Sequence, residues 1–370
     1  MQNAKRFILV RVIDPHVRHA DAAEDMDELH SLVTTYGGAD IVRVIQHRNS
    51  PHPKTFIGTG KALELSEMVK RERIDVVVLD ALVNPMQIFN LQKLFWSTRP
   101  ETEVWDRVGL ILNIFYKHAV SAEAKLQIEL ARMKHMGPRI YGLGETYFSR
   151  QGGGIGTRGL GETNIELMKR HWRIQIKKVA DQLEKYEQGR EQRLKRRQEL
   201  GLQTVSLVGY TNAGKTTLFN RLANKRKLAS DILFATLDSS VGQMYLAPIK
   251  KEVLISDTIG FIQNLPPALI QAFKSTLTES IHSRLLLHVI DSSDPKIREK
   301  IIAVENILHD LQIEFKDHLY VFNKVDRPSP ISQQTLLIDY GRHRPQFISA
   351  EKGIGIDDLK KTIATYFGTV

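Results

Sequence analysis

Apolar and polar positions change their period several times along the chain, and each change predicts an element. Phe7–Ile13, Asp40–Gln46 and Ile74–Leu79 are β-branched, apolar runs. Stretches with helical spacing, at 22–35 and 61–72, separate them. Asn84-Pro85 opens a further helix, with asparagine as cap and proline in the first turn. Pro51 and Pro53 mark a loop before Ile57. This alternation predicts a parallel α/β domain over residues 1–118.

From Ala119 onward the apolar positions fall three and four apart: first Leu126, Leu130 and Met133, then Ile165, Met168, Trp172, Ile176, Val179, Leu183 and Tyr186. Two such helices around a loop predict an antiparallel, coiled-coil-like hairpin over 119–200. The glycine-rich segment 137–163 is expected as the loop. Beyond Gly189 the helix keeps little apolar face and is expected to be an exposed basic tether. In 201–370, apolar runs at 204–208, 252–256, 285–290, 318–323 and 345–348 predict strands of a nucleotide-binding α/β domain.

Chemistry concentrates in that last region. Gly209, Tyr210, Thr211, Asn212, Ala213, Gly214, Lys215 and Thr216 follow the apolar run Val205–Val208 in the pattern GxxxxGK(S/T). Backbone N–H groups of such a loop, and of the helix it opens, point at phosphate oxygens. Lys215 supplies a point charge and Thr216 a hydroxyl for Mg²⁺. About a hundred residues later come Asn323, Lys324, Val325 and Asp326. A carboxylate at Asp326 accepts hydrogen bonds from N1–H and the 2-amino group of guanine, donors that adenine lacks. The pair therefore points to GTP and GDP.

Asp257 closes another apolar run and, with Thr258, Ile259 and Gly260, forms a second phosphate-side motif. The aspartate is a candidate for Mg²⁺, directly or through water, and Gly260 for backbone approach to a γ-phosphate. Phe234, Ala235, Thr236, Leu237 and Asp238 lie between the two motifs; Thr236 is the candidate hydroxyl that joins Thr216 on Mg²⁺. Lys215, Thr236 and Gly260 are the candidate catalytic residues. After Gly260 stands Phe261, where many GTPases place a glutamine that orients water. Slow unassisted hydrolysis is expected, completed by a partner. Ser349, Ala350 and Glu351 follow the last strand and are candidates for buttressing the base.

Composition narrows the setting. The 370 residues include no cysteine, so disulfides and thiolate metal sites are excluded. The apolar run near the N-terminus stops at Arg11, too short for a membrane span, and a cytoplasmic monomer is expected. Net charge is +10, and Lys169–Arg197 alone holds 11 Lys/Arg against 4 Asp/Glu. That stripe suits a polyanion such as RNA as well as it suits a solvated helix face. The glycine-rich segment offers the same two readings, flexible linker or RNA contact through Arg150, Gly153, Gly154, Gly156 and Arg158 with Lys169 and Arg170 nearby.

The set Gly209 to Thr217, Phe234 to Asp238, Asp257 to Phe261 and Asn323 to Asp326 resembles the HflX family of GTPases. So do Phe56 to Lys61, Asn84 to Gln87, Lys125 to Ala131 and Gly152 to Gly159. The resemblance implies a GTPase that binds the large ribosomal subunit, acts on stalled or stressed ribosomes and reaches ribosomal RNA through the hairpin loop. Two other readings remain: an RNA-remodelling protein that also uses ATP, and a GTP-gated scaffold that dimerises through the hairpin.

Overall fold

The computed structural model describes residues 4–16, 19–151, 158–223, 240–258, 260–262, 278–313 and 316–368. The described residues form two compact units, 1–117 with 125–183, and 118–124 with 184–370.

The first unit is built on a four-stranded parallel sheet in the order β2-β1-β3-β4. Its strands are β1 (Arg6–Ile13), β2 (Ala39–His47), β3 (Val76–Leu79) and β4 (Glu103–Asp106). Side chains alternate across the sheet. Ile8 and Val10 of β1 pack with α2 (Thr59–Arg71) and α3 (Pro85–Trp96). Phe7 points the other way and meets Tyr36 of α1 (His19–Tyr36) and Trp105 edge-on, ring centroids 5.9 Å apart in each case. Helix α3 begins as expected: the Asn84 side chain accepts from the Met86 amide at 2.9 Å, and Gln87 closes a capping box. After β4 comes α4 (Arg107–His118).

The hairpin helices are longer than expected. Helix α5 spans Ala122–Gln151 and α6 spans Arg158–Glu199, so most of the expected 137–163 loop is helical. Glycine lowers helix propensity by only about 1 kcal/mol, which neighbouring contacts override. At Gly137 the small residue is needed for packing: a Cβ there would lie 2.7 Å from Trp172 Nε1, which donates to the Met133 carbonyl at 3.2 Å. Nor is the end of α6 a bare tether. The helix runs through Gly189, Leu194 is buried, and Arg190 pairs with Glu123.

Among its described residues the second unit holds six strands in the order β10-β9-β8-β5-β7-β6. These are β5 (Thr204–Val208), β6 (Ser240–Leu246), β7 (Lys251–Asp257), β8 (Leu285–Asp291), β9 (Asp317–Asn323) and β10 (Gln346–Phe347). All pairings are parallel except β6 with β7. One face packs on α7 (Lys215–Leu222) and on α11 (Ile356–Gly368) through Val205, Leu207, Leu218, Phe219, Leu359 and Ile363. Ile290, Tyr320 and Phe322 meet Ile297, Ile301 and Leu336 of α9 (Ile297–Asp310) and α10 (Gln333–Tyr340); the short α8 (Thr278–His282) precedes β8. Parallel register brings Leu207 beside Asp257 and Asp291 beside Asn323. Polar residues thus collect at the carboxyl ends of the strands, where open α/β sheets bind ligands. No helix among the described residues is long and apolar enough to cross a membrane.

Candidate functional site

The loop between β5 and α7 wraps the end of the sheet. Gly209 (φ 147°) presses on β8, where a Cβ would sit 2.2 Å from the Val289 carbonyl oxygen. Gly214 (φ 91°) caps α7 in the left-handed region, and Asn212 (φ 61°) shares that geometry. The loop is a concave run of amides leading into a helix N-terminus, an arrangement suited to phosphate oxygens.

Lys215 is buried over this loop and donates to the carbonyls of Gly209 at 3.1 Å and Tyr210 at 2.7 Å. Burial pushes its pKa down to about 8; Asp257 opposes the shift and Lys324 adds to it. Thr216 Oγ1 donates to Asp257 Oδ2 at 2.9 Å, so hydroxyl and carboxylate stand side by side at the mouth of the loop.

Two backbone hydrogen bonds tie the segment after Asp257 to the phosphate loop. Thr211 N–H donates to the Phe261 carbonyl at 2.7 Å, and Phe261 N–H donates to the Gly209 carbonyl at 3.1 Å. Between them Gly260 has no room for a side chain: a Cβ would lie 2.8 Å from Thr211 Cγ2 and 2.9 Å from Lys215 Nζ. The Phe261 ring is 1% exposed and belongs to the interior. Thr258 is buried too, its hydroxyl donating to the Leu207 carbonyl at 2.6 Å.

The opposite end of the cleft is tied by side chains. Asn323 Nδ2 donates to the Ala213 carbonyl at 2.8 Å, and its Oδ1 accepts from Ala350 N–H at 2.9 Å. One buried amide therefore joins the phosphate loop to the 349–351 turn. Lys324, at φ 65°, is fixed by an ion pair with Asp291 at 2.7 Å. Asp326 is exposed, and a hydrogen bond with the Ser349 side chain holds its carboxyl below the usual range. Val325 N–H donates to the Ile348 carbonyl at 3.2 Å, and Ser349 Oγ accepts from Lys352 N–H at 3.1 Å.

The structure thus brings together Gly209–Thr216, Asp257, Gly260, Asn323–Asp326 and Ser349–Glu351. Phe234, Ala235, Thr236, Leu237 and Asp238 lie outside the described residues, as do Ile259, Gly153, Gly154 and Gly156. The backbone of Arg150 is in α5 and that of Arg158 opens α6; Arg170 is exposed on α6.

Three comparisons bear on this geometry. Residues 23–116 match the family model "GTP-binding GTPase N-terminal", 118–197 match "GTP-binding GTPase Middle Region", and 204–324 match "50S ribosome-binding GTPase". GTPase HflX of Escherichia coli strain K12 is 42% identical over 91% of this chain and 77% of its own length. The chain belongs to the HflX family of GTPases. GTPase HflX of Caldanaerobacter subterraneus is 39% identical over 98% of this chain and 80% of its own. Among solved structures, the complex of SsGBP and GDP covers 98% of both chains with a TM-score of 0.54 and 25% identity. A GTP-binding protein from Sulfolobus solfataricus in complex with GDP shares the fold, at a TM-score of 0.50 and 24% identity.

As an HflX-family GTPase, the protein binds and hydrolyses GTP. Its cleft also uses residues that motif reading passed over. Arg221, at the end of α7, donates to the carbonyls of Ala350 at 3.2 Å and Glu351 at 2.7 Å. The Ser292 hydroxyl donates to the Asn323 carbonyl at 2.8 Å, and Lys300 lies 4.8 Å from the centre of the Tyr210 ring. Asp291 had a usable signal, a carboxylate ending the buried run Leu285–Ile290 just as Asp257 ends another. Arg221 had none, because a helical arginine carries no local mark of the loop it reaches.

Proposed function

We propose that the protein docks on the large ribosomal subunit and that the subunit completes its hydrolytic site. In this reading it separates or rescues stalled or stressed ribosomes in the cytoplasm. The observation that carries the proposal is the Gly260–Phe261 segment: backbone-bonded to the phosphate loop, with its first side chain turned inward. Neither residue offers a side-chain acceptor to orient water, so unassisted turnover is slow and a partner supplies the missing group. The match of 204–324 to a 50S ribosome-binding family supports the choice of partner.

Guanine is read by Asp326, with Asn323, Lys324 and the Ser349–Glu351 turn holding the base pocket. Gly209–Thr217 and Lys215 hold the phosphates. The neighbouring Thr216 hydroxyl and Asp257 carboxylate are hard oxygen donors that fit Mg²⁺. Among the described residues no cluster of His, Cys, Asp or Glu could hold a metal by itself. Thr216, Asp257 and Thr236 would therefore share the ion with phosphate and water, and it would supply positive charge to the bound phosphates. Arg150, Arg158, Lys169 and Arg170, with Gly153, Gly154 and Gly156, form the RNA-contacting end of the hairpin.

The test is GTP turnover by the monomeric protein with and without purified large subunits. Stimulation of about a hundredfold or more is expected. Arg158→Ala with Arg170→Ala should reduce stimulation and flatten its salt dependence, with turnover in the absence of subunits unchanged. No stimulation by large subunits would reject the proposal.

A further inference from the structure

The GTPase unit has a second opening, at the other ends of the strands that carry the nucleotide site. A cleft of about 400 Å³ is lined by Arg284, Asp317, His318, Arg342, Arg344 and Tyr366. Leu285, which follows Arg284, pairs with Asp317 at the start of β8 and β9, whereas Asp291 and Asn323 pair at their far ends. Strand rise separates the two sites by roughly 20 Å.

Its charge is one-sided. Among the described residues Asp317 is the only carboxylate in the lining, and the Tyr366 hydroxyl donates to its Oδ2 at 2.6 Å. Among the described residues none of the three arginines forms an ion pair. Arg342 spends its Nε on His343, 2.8 Å away, which leaves its terminal amino groups free for other acceptors. Arg344 stands at φ 47°, a left-handed conformation that costs an arginine free energy a glycine would not lose. His318 Nε2 is sealed from water and has no hydrogen-bond partner. Burial lowers the pKa of both His318 and His343, which favours the neutral form of the imidazoles beside the arginines.

Three like charges around one small volume repel each other until an anion enters. Guanidinium forks bind oxyanions in pairs of parallel hydrogen bonds. The acceptors of a carboxylate lie in one plane, whereas the oxygens of a phosphate, even the two free ones of a backbone diester, are set tetrahedrally and accept from several sides, which suits forks converging from different directions. We propose that this cleft binds a phosphate group, carried by a nucleic-acid backbone or by a free phosphorylated compound. The inference rests on the GTPase unit alone and holds whether or not the ribosome is the partner.

The full chain is saturated with GDP to fill the nucleotide cleft, then titrated with inorganic pyrophosphate and, separately, with a short single-stranded RNA. Saturable binding of at least one probe is expected. Arg342→Ala with Arg344→Ala should weaken it about a hundredfold, roughly tenfold for each guanidinium removed from the phosphate. Lys250→Ala with Lys251→Ala removes the same charge elsewhere and should leave affinity unchanged. RNA binding that pyrophosphate displaces identifies a backbone phosphate; binding of pyrophosphate alone identifies a free compound; both support the site. In the unsubstituted protein, bound probe should also shift the His318 ring resonances, a readout independent of any variant's folding. The proposal is overturned if neither probe saturates, if both double variants weaken binding equally, or if the His318 resonances stay fixed on binding.

Discussion

The two ends of the nucleotide cleft are held by different means. Around Asn323 and the Ser349–Glu351 turn, side chains do the tying: the Asn323 amide, the Asp291–Lys324 ion pair and the Arg221 fork. Around Gly260 and Phe261, among the described residues, the ties are backbone hydrogen bonds and close packing. Groups fixed in advance cost nothing to organise when a base arrives, so selection can be complete in the isolated protein. A segment without a polar side chain fixes position but offers no side chain to move a proton or to orient water. In the function proposed above, recognition is internal to the chain and hydrolysis is shared with a partner.

The contrast can be broken most severely at Asp326. Asp326→Asn removes the acceptor for both guanine donors and should weaken GTP binding by about 10⁴-fold. It should favour a xanthine nucleotide instead, with the fold intact by circular dichroism. If GTP and XTP affinities are unchanged, guanine is not read at this carboxylate. Next comes Phe261→Gln. The Phe261 ring is interior, so glutamine there buries an amide rather than presenting it to water, and stability should fall by about 1–3 kcal/mol in thermal or denaturant unfolding. GTP turnover should not rise; a rise would show that this end can be completed from within.

The smallest effect is a pH dependence at Lys215. Its pKa of about 8 belongs to a buried cation without a phosphate beside it, and an added anion raises that pKa. Below pH 8 the lysine is already protonated and affinity should be flat. Above pH 8 binding must also take up a proton, so affinity should decline, by at most about tenfold per pH unit. A profile flat from pH 7 to about 9.5, as isothermal titration would record it, contradicts this assignment.

Buried parallel strands were readable because both faces are covered and their apolar runs are continuous, as in Val205–Val208 and Leu285–Ile290. Two strands were missed for physical reasons. β6 is an antiparallel edge strand whose exposed Gln243 and Tyr245 alternate with buried Met244 and Leu246, so it lacks a continuous apolar run. β4 is four residues long and ends in Asp106. In the candidate site, motif spacing nominated Lys215, Asp257 and Asn323, which the structure brings to one cleft, but spacing is silent about direction. That Phe261 faces inward, and that Asn323 braces two loops, follow from burial and long-range pairing. The helical course of α5 beyond residue 136 was hidden by glycines, whose small helix penalty was outweighed.

The Asn323 brace also has a consequence for biogenesis. Its partners, Ala213 and Ala350, lie 110 and 27 residues away along the chain. Contacts of such separation form after the local ones, and a chain made from its N-terminus completes them last. During its own synthesis the protein exposes a phosphate loop well before the residue that steadies that loop has emerged. Full grip on nucleotide therefore arrives only after Ala350 has emerged, so a chain halted before that residue is a poor GTP binder.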